Sequence, residues 1–213
     1  MPINDEKVGD VLARLAAREV APGGGTAAAL HVAQAAALLG MAARFSTGAE
    51  RAQHHDATAT ATISRITTEV DELRLLALRL ADADSEALSA MAGAARLPAA
   101  TEAERAARSA AIAQALVNAA WLPSQLISIA GLVVDLAEAL APVGNRNVLP
   151  DIASAAEAAR AAAAIARVNV EVNLADITDE QASLEMIEVT GRADEVIAGS
   201  ERVATAIRDQ IRA

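Results

Sequence analysis

Residues 55–95 contain no proline, and their apolar side chains recur at intervals of three and four. Such intervals place side chains on one face of an α-helix, which has about 3.6 residues per turn. The repeating positions are Ile63, Ile66, Val70, Leu73, Leu76 or Ala77, and Leu80. The pattern predicts one long helix, kinked near Gly93, whose apolar face must be buried against further elements.

The composition indicates which elements these are. Of the 213 residues, 54% are hydrophobic but 1% are aromatic, with one Phe, one Trp and no Tyr. Strands favour β-branched and aromatic residues, whereas Ala, Leu, Glu and Arg favour helices. We therefore expect an all-α protein with a core of Ala, Leu, Ile and Val. Alanine faces bury little area, so large contacts between subunits are expected to add stability.

Five more helices are predicted over residues 5–19, 26–45, 101–140, 151–177 and 178–211. Thr26 is placed as the N-cap of the second helix, and Thr101 with Glu104 has the spacing of a capping box. Pro123 removes a backbone donor and is expected to kink its helix. The sum is a single domain, residues 1–213, built as a bundle of about six helices, several of them long and kinked.

Charge and cysteine content bound the partners and the compartment. The net charge of -10 argues against nucleic acid or an anionic membrane surface as a partner. The apolar stretches 26–43 and 110–134 approach the length of a membrane span, but they are mainly alanine and carry His and amide side chains, so we interpret them as buried helices. Cysteine is absent, which leaves the compartment open. The first residues lack the apolar core of a signal peptide, and we expect a cytoplasmic protein.

Three glycines, Gly23, Gly24 and Gly25, stand directly before Thr26. They leave free backbone N–H groups at a helix N-terminus, where the helix dipole favours an anion or an electronegative ring atom. A nucleotide-binding phosphate loop is disfavoured because no Lys-Ser or Lys-Thr pair follows the last glycine. The loop is either a structural turn or a ligand contact.

Two further segments concentrate polar side chains. Asn145, Asn147 and Asp151 surround a loop that leads into a helix, where the amides can read the edge of a heterocycle and Asp151 can cap the helix or move a proton. Asn169 and Asn173 lie one turn apart, with Asp176 on the same face. Asparagine is a poor helix former, so these two either bond a neighbouring helix or contact a ligand.

Asp84 is the acid most suited to proton transfer, because Leu80, Leu88 and Met91 surround it at helical spacing. Burial there would raise its pKa. Asp82 and Glu86, in contrast, fit a solvated face. The histidines form no metal-binding pattern, and His31 on its apolar helix fits a core histidine. We predict no metal.

Six segments, in their order along the chain, resemble the cyclodeaminase domain of formiminotransferase-cyclodeaminase and the stand-alone methenyltetrahydrofolate cyclohydrolases of the same family. They are APGGGTAAAL, MAARFSTG, ADADSEALSAM, LPAATEAERAAR, GNRNVLPD and NVEVNLADITD. The resemblance implies an all-helical homodimer that binds a tetrahydrofolate derivative. It also implies chemistry on the one-carbon unit between N5 and N10, by loss of ammonia from the 5-formimino form or hydration of the 5,10-methenyl form.

The resemblance assigns roles to the residues singled out above. Asp84 and Asp151 are the candidate catalytic acids, and His31 is a candidate accessory residue. The candidate folate-binding residues are Gly23, Gly24, Gly25, Thr26, Asn145, Asn147, Asn169 and Asn173.

The chain also departs from the family pattern. Ala99 stands where the family has Lys, Pro150 where it has Ser, and Leu88 where it has Phe or Tyr, while His31 replaces a small residue. The lost cation and hydroxyl leave two alternatives to the family reactions. One is transfer of a folate-borne one-carbon unit to a different acceptor in a biosynthetic pathway, and the other is a non-catalytic folate-binding or scaffold protein.

Overall fold

The structure is a computed structural model that describes residues 2–47, 57–174 and 180–212. Within these ranges there are six α-helices and no strand, which confirms the all-α single-domain bundle. The helices are α1 (Val8–Ala16), α2 (Gly24–Phe45), α3 (Ala57–Ala95), α4 (Glu102–Leu140), α5 (Leu149–Leu174) and α6 (Glu180–Arg212). Short 3-10 helices at Ile3–Asp5 and Arg146–Val148 precede α1 and α5.

Helices α2, α3, α4 and α5 pack in a ring around the core, each against the next, and α5 closes the ring against α2. Helix α6 covers the outside of α4 and α5. α2 runs antiparallel to α3 and α5, because Gly25 faces Asp84 while Gly40 faces Val70, and Gly24 faces Asn169. This arrangement brings the first turn of α2 against the late parts of α3 and α5.

Small side chains let α2 and α5 lie close together. Both helices present fully buried alanines, among them Ala28, Ala35, Ala42, Ala159 and Ala166. The largest fully buried side chains of the core are aliphatic, with Leu39, Ile63, Leu126 and Ile152 among them. The two aromatic side chains lie at the surface instead, where Phe45 is 60% and Trp121 is 50% exposed.

α2 and α4 are long and apolar enough to cross a membrane by length and composition alone. In the bundle, 61% of the apolar window of each helix is buried against other helices. Core helices of soluble proteins pass the same test, and this burial fits our interpretation of the two stretches as core helices.

Several helix boundaries were predicted correctly. α4 begins with the expected capping box: Glu104 N–H donates to Thr101 Oγ1 at 3.2 Å, and Thr101 N–H donates to Glu104 Oε2 at 2.8 Å. α2 differs, because its N-cap is Gly23 and the prediction of Thr26 as the cap was wrong. The Thr26 hydroxyl is used elsewhere, as a donor to Asp84 of α3.

The N-terminal helix is shorter than expected, and its approach to the bundle changes our interpretation of Asp82. The chain before α1 forms a 3-10 helix in which Ile3 N–H donates to Asp82 Oδ1 at 2.6 Å. Asp82 is half-buried rather than part of a solvated face, because it holds this N-terminal segment against α3.

Candidate functional site

The first turn of α2 meets α3 at a buried carboxylate. Thr26 Oγ1 donates to Asp84 Oδ2 at 2.8 Å, and the Thr26 main-chain N–H also bonds this carboxylate. Thr26 is fully buried and Asp84 is 7% exposed. The first N–H groups of a helix lack partners within the helix. Asp84 therefore satisfies one of them from a neighbouring helix.

Gly25 makes this approach sterically feasible. A Cβ atom at residue 25 would lie 2.1 Å from Asp84 Oδ1 and 2.6 Å from Asp84 Cγ. These distances are far below van der Waals contact, and the atoms concerned belong to a short, buried side chain. The position of the Asp84 carboxylate thus requires glycine at residue 25.

The electrostatic environment of Asp84 favours its protonated form. Burial raises the pKa of the Asp84 carboxyl, and the hydrogen bonds from Thr26 offset only part of this rise. A carboxyl with a raised pKa holds and releases a proton closer to neutral pH than an exposed aspartate does. The burial of Asp84 and the direction of its pKa shift confirm what the sequence predicts, and its role in proton transfer stays a prediction.

Asn169 of α5 lies against Gly24. A Cβ atom at residue 24 would be 3.1 Å from Asn169 Nδ2 and 3.3 Å from Oδ1. Asn169 Nδ2 donates to the Ile165 carbonyl at 2.8 Å, and Asn173 Nδ2 donates to the Asn169 carbonyl at 2.9 Å. Both amides thus bond their own helix and not a neighbouring one. Within the described residues, the Asn169 Oδ1 atom has no donor, so it can accept a hydrogen bond from a ligand.

Leu88 completes this group, since a Cβ atom at residue 23 would lie 3.2 Å from Leu88 Cδ1. We call the group the Gly-rich end of the molecule, and its members are Gly23, Gly24, Gly25, Thr26, Asp84, Leu88 and Asn169. The N–H groups of Gly24 and Gly25 have no acceptor among the described residues. A carboxyl with a raised pKa, free N–H donors and an amide oxygen thus lie together.

The second predicted cluster lies at the opposite end of α2. Asn145 N–H donates to Ser46 Oγ at 2.8 Å, Asn145 Nδ2 donates to the Phe45 carbonyl at 3.0 Å, and Asn147 N–H donates to Asn145 Oδ1 at 2.9 Å. A Cβ atom at Gly144 would lie 2.9 Å from the Leu140 carbonyl oxygen. We call this group the Asn145 end, consisting of Phe45, Ser46, Gly144, Asn145 and Asn147. Its hydrogen bonds fasten the loop before α5 to the last turn of α2.

Asp151 belongs to the same end of the molecule but does not cap α5. The helix begins at Leu149, so Asp151 lies inside its first turn, and no hydrogen bond to the Asp151 side chain is found among the described residues. Of the two roles considered for Asp151, the capping role was wrong, because the 3-10 helix Arg146–Val148 runs directly into α5 and Asn145 caps that 3-10 helix. The helix dipole still favours an acid in this turn.

The two ends are well separated within one chain. α2 has 22 residues, and at a rise of about 1.5 Å per residue its ends are about 30 Å apart. Asp84, Asn169 and the glycines lie at one end, whereas Asn145 and Asn147 lie at the other. Asn173 is one turn beyond Asn169 at the Gly-rich end. The structure therefore brings seven of the eleven predicted site residues together at the Gly-rich end and places the other four elsewhere.

His31 occupies a third location. It is half-buried and lines a surface cavity of ≈ 390 Å³ between α1 and α2, together with Val8, Leu12, Leu15, Ala27, Leu30 and Gln34. The interpretation of His31 as a core histidine was wrong, because α1 is only nine residues long and leaves this face of α2 partly open. His54, His55 and Asp176 lie outside the described residues.

Sequence reasoning did not identify two serines that contact the predicted residues. Ser85 Oγ lies 3.3 Å from Thr26 Oγ1, and the fully buried Ser46 receives the Asn145 N–H bond. Ser85 is adjacent to Asp84 in the sequence, but its direction depends on how α3 is rotated against α2. Ser46 lies in a segment that carries the family resemblance, which could have drawn attention to it.

Comparison with known proteins provides the family context for this geometry. A family model described as formiminotransferase-cyclodeaminase matches residues 7–190. The methenyltetrahydrofolate cyclohydrolase of Methylorubrum extorquens is 32% identical over 208 residues, which cover 97% of this chain and 98% of that protein. The formimidoyltransferase-cyclodeaminase of Rattus norvegicus is 34% identical over 164 residues, which cover 77% of this chain but 30% of the rat protein.

A solved structure has the same fold. The crystal structure of formiminotetrahydrofolate cyclodeaminase from Thermotoga maritima superimposes with a TM-score of 0.84 at 26% identity, covering 99% of this chain and all of that one. The similarity therefore extends over the whole helical bundle and includes both ends of α2.

Proposed function

The chain belongs to the formiminotransferase-cyclodeaminase family, and from this premise we propose that it is a tetrahydrofolate-dependent one-carbon enzyme that hydrolyses the bridge of 5,10-methenyl-tetrahydrofolate. The methenyltetrahydrofolate cyclohydrolase of M. extorquens supports this choice, because the similarity covers almost the full length of both proteins. The observation that carries the chemistry is the buried Asp84 carboxyl at the Gly-rich end.

Hydrolysis of the bridge requires water to add to the one-carbon atom and one C–N bond to break. As a carboxylate, Asp84 accepts a proton from the attacking water while the new C–O bond forms. As an acid, it then returns that proton to the departing nitrogen, and it takes the remaining hydroxyl proton as the C=O bond forms, so that each turnover releases one proton. Its raised pKa suits both steps, because the group changes protonation state closer to neutral pH than an exposed aspartate does. Its negative charge also stabilises the delocalised cation of the methenyl form.

The rest of the Gly-rich end supplies groups that can hold the folate. The N–H groups of Gly24 and Gly25 offer donors at the start of α2, and Asn169 Oδ1 offers an acceptor beside them. Leu88 supplies an apolar surface where the family has an aromatic residue. These features support binding of a polar heterocycle with its one-carbon bridge near Asp84.

The homodimer is also part of the proposal, and the outer face of α2 supports it. Leu30, Gln34, Leu38 and Met41 lie on this face, are at least partly exposed, and carry no charge, and α1 covers the part beside Leu30 and Gln34 incompletely. On a chain of net charge -10, two copies repel each other least where the surface is uncharged. We therefore place the contact between subunits on this face.

A two-fold axis perpendicular to α2 would pack the two α2 helices antiparallel, with the same residues used by both subunits. The Gly-rich end of one subunit then lies beside the Asn145 end of its partner. In this arrangement Asp151, Asn145 and Asn147 of one subunit can contact a folate bound at the Gly-rich end of its partner. Within one chain they cannot, because the two ends of α2 are about 30 Å apart. The proposal keeps Asp151 as a second acid on this basis.

Formiminotetrahydrofolate cyclodeamination is a second candidate, and the T. maritima cyclodeaminase structure favours it. This reaction also passes through a tetrahedral carbon and requires proton transfer, so the same carboxyl serves both. Release of ammonia from 5-formimino-tetrahydrofolate distinguishes it from bridge hydrolysis. A cytoplasmic location remains part of the proposal and is checked by cell fractionation.

The test is to mix the purified protein with 5,10-methenyl-tetrahydrofolate and to follow loss of the bridged chromophore against the rate in buffer alone. We expect acceleration by the protein and by Asp135→Asn, a matched change at an exposed position of α4, but not by Asp84→Asn. No acceleration while folate still binds in calorimetry would instead favour transfer of the one-carbon unit to another acceptor. Failure to bind any folate would favour the scaffold alternative.

A further inference from the structure

Two hydroxyl groups extend from the Asp84 carboxylate. Thr26 Oγ1 donates to Asp84 Oδ2 at 2.8 Å, and Ser85 Oγ lies 3.3 Å from Thr26 Oγ1. A threonine hydroxyl carries one proton and accepts through its lone pairs. Because the Thr26 proton is already directed to Asp84, Ser85 has to donate to Thr26 while the carboxylate is ionised. The direction of both hydrogen bonds is thus fixed by the charge of Asp84.

Ser85 differs from Thr67 and Ser89, two other hydroxyl residues of its helix. Serine and threonine inside a helix commonly bond the carbonyl four residues earlier. Thr67 does so to Ile63, and Ser89 does so to Ser85. In the part of the chain that the structure describes, the Ser85 hydroxyl makes no bond of this kind and contacts Thr26 instead. Its orientation is therefore not explained by the usual pairing within a helix.

Ser85 is also the member of this series that faces solvent. It lines a surface cavity of ≈ 350 Å³, whereas Thr26 is fully buried and Asp84 is 7% exposed. The other residues that line the cavity are Pro2, Ile3, Arg14, Asp82 and Glu86.

The charged groups that face Ser85 come from two sides of the cavity. Arg14 of α1 is paired with Glu6 at 2.6 Å, and Asp82 of α3 accepts the N–H bond of Ile3. Glu86 of α3 is exposed. Arg14 and Asp82 already have partners, so water in the cavity is free to hydrogen-bond the Ser85 hydroxyl.

We propose that Ser85 and Thr26 form a proton relay that connects Asp84 with water in this cavity, which is lined in part by α3. When Asp84 takes up a proton, Thr26 Oγ1 gives its proton to Asp84 Oδ2, Ser85 Oγ gives its proton to Thr26, and a water molecule or buffer acid in the cavity gives one to Ser85. Each hydroxyl ends with one proton, and one hydroxide or buffer anion remains in the cavity. Release of the proton follows the same path in reverse.

The relay deepens the proposed function and rests on it, because between turnovers it carries the proton that bridge hydrolysis releases from Asp84 to the cavity, without passing through the folate. Ser85 is a positioning residue in this scheme, since it acts through Thr26 and touches no reacting atom. Substrate binding should not depend on it, whereas the rate of proton exchange at Asp84 should.

The first experiment compares Ser85→Ala with Ser89→Ala, a matched loss of a hydroxyl one turn along the same helix. We expect Ser85→Ala to lower kcat roughly tenfold with KM unchanged within about twofold, and Ser89→Ala to behave as wild type. As the fraction of D₂O in the solvent rises, kcat of the wild type should fall along a curve, because several protons move in the same step. In Ser85→Ala, kcat should fall along a straight line. Wild-type kcat and solvent dependence in Ser85→Ala would overturn the relay.

A second measurement requires no turnover. The Asp84 carboxyl carbon is followed by ¹³C NMR in the folate-free protein during a pH titration and is assigned through its loss in Asp84→Asn. Because Ser85 strengthens the bond that Thr26 donates to the ionised form, Ser85→Ala should raise the pKa of Asp84 further, Thr26→Val should raise it more, and Ser89→Ala should leave it unchanged. An unchanged titration in Ser85→Ala would overturn the relay.

These two measurements separate the relay from the proposed function. If the wild-type protein turns over no folate but Ser85→Ala changes the pKa of Asp84, the relay is supported and the proposed reaction is overturned. If Ser85→Ala turns over folate with full activity, the proposed reaction is supported and the relay is overturned.

Discussion

Thr26 in the first turn of α2 donates its hydroxyl proton across 2.8 Å to Asp84 in α3, a residue 58 positions away. The same carboxylate also accepts the Thr26 main-chain N–H, so it stabilises the start of α2. Burial nevertheless raises its pKa above the usual range. The Asp84 carboxylate therefore has two candidate roles, to hold the start of α2 and to transfer a proton. Substitutions can distinguish these roles, because only proton transfer requires a titratable group.

Asp84→Asn should lower turnover of 5,10-methenyl-tetrahydrofolate at least about a hundredfold, because an amide neither takes up nor releases a proton at the pH of the assay. The amide oxygen still accepts the hydrogen bonds from Thr26. The thermal midpoint at neutral pH should stay equal or rise, because the amide removes a buried charge. The two measurements are initial rates by absorbance and thermal unfolding by circular dichroism. A large loss of stability with Asn would show that the carboxylate is mainly a structural cap.

The same variant should change how stability depends on pH. The folded-state pKa of Asp84 is raised, so its protonated form favours folding, and this stabilisation is complete below the unfolded-state value of about 3.9. It is lost as the pH rises through the raised folded-state pKa. The free energy of unfolding of Asp84→Asn minus that of wild type should therefore increase from about pH 4 toward neutral, measured by urea titration. A constant difference would contradict the raised pKa.

Gly25→Ala should displace the Asp84 carboxylate, because the new Cβ atom would lie 2.1 Å from Oδ1. We expect a loss of about 1–3 kcal/mol in the free energy of unfolding and a loss of turnover comparable to that of Asp84→Asn. Gly191→Ala is the matched control, because no atom lies within 4 Å of its Cβ position inside α6. It should stabilise the protein by about 0.5–1 kcal/mol. If the two substitutions have equal effects in urea unfolding, the contact between residue 25 and the Asp84 carboxylate does not require glycine.

The helices were predictable from the sequence because their signals are local. The apolar spacing around Ile63 and Val70 and the capping box of Thr101 and Glu104 involve residues within one or two turns of each other. Thr26 shows where this reasoning ends. As a local signal it favours an N-cap, but an acceptor on another helix, Asp84, competes for its hydroxyl.

The candidate site was predictable only in part for a related reason. The burial of Asp84 followed from helical spacing, whereas the family resemblance assigned Asp84, Gly25 and Asn145 to one folate site without showing which of them are close. The distance between the Gly-rich end and Asn145 could not be inferred, because sequence motifs do not show which helix ends meet in the folded chain. The direction of the Ser85 hydroxyl depends on the rotation of α3 against α2, which no local pattern determines.

Asn145→Ala should destabilise the protein regardless of any ligand. It removes the donor to the Phe45 carbonyl and the acceptor for Asn147 N–H, and we expect a cost of about 1–3 kcal/mol because these groups are largely buried. Asn147→Ala is the control, since the Asn147 side chain is exposed, and its cost should stay within about 0.5 kcal/mol. Urea unfolding measures both. Equal midpoints would show that the Asn145 side chain is not required to hold the loop.

A charge on the outer face of α2 should dissociate the proposed homodimer. In Leu38→Glu, two added carboxylates would be buried near each other across the two-fold contact without partners. Light scattering after size exclusion should show a dimer for wild type and a monomer for Leu38→Glu. Leu132→Glu is the control, because Leu132 is 51% exposed on α4, and it should remain dimeric. A dimer that survives Leu38→Glu would place the contact on another face.

Mixing two inactive variants tests whether Asp84 and Asp151 act on one folate from different subunits. Asp84→Asn and Asp151→Asn should each abolish turnover if both acids are required. About 30 Å separate the two ends of α2 in one chain, so a shared site would combine Asp84 of one subunit with Asp151 of the other. A mixed dimer then has one site with both acids intact and one with neither. Dissociation and reassembly of an equal mixture should restore about a quarter of wild-type activity, since half of the dimers are mixed. Full activity of Asp151→Asn alone would instead remove Asp151 from the chemistry and leave proton transfer to Asp84.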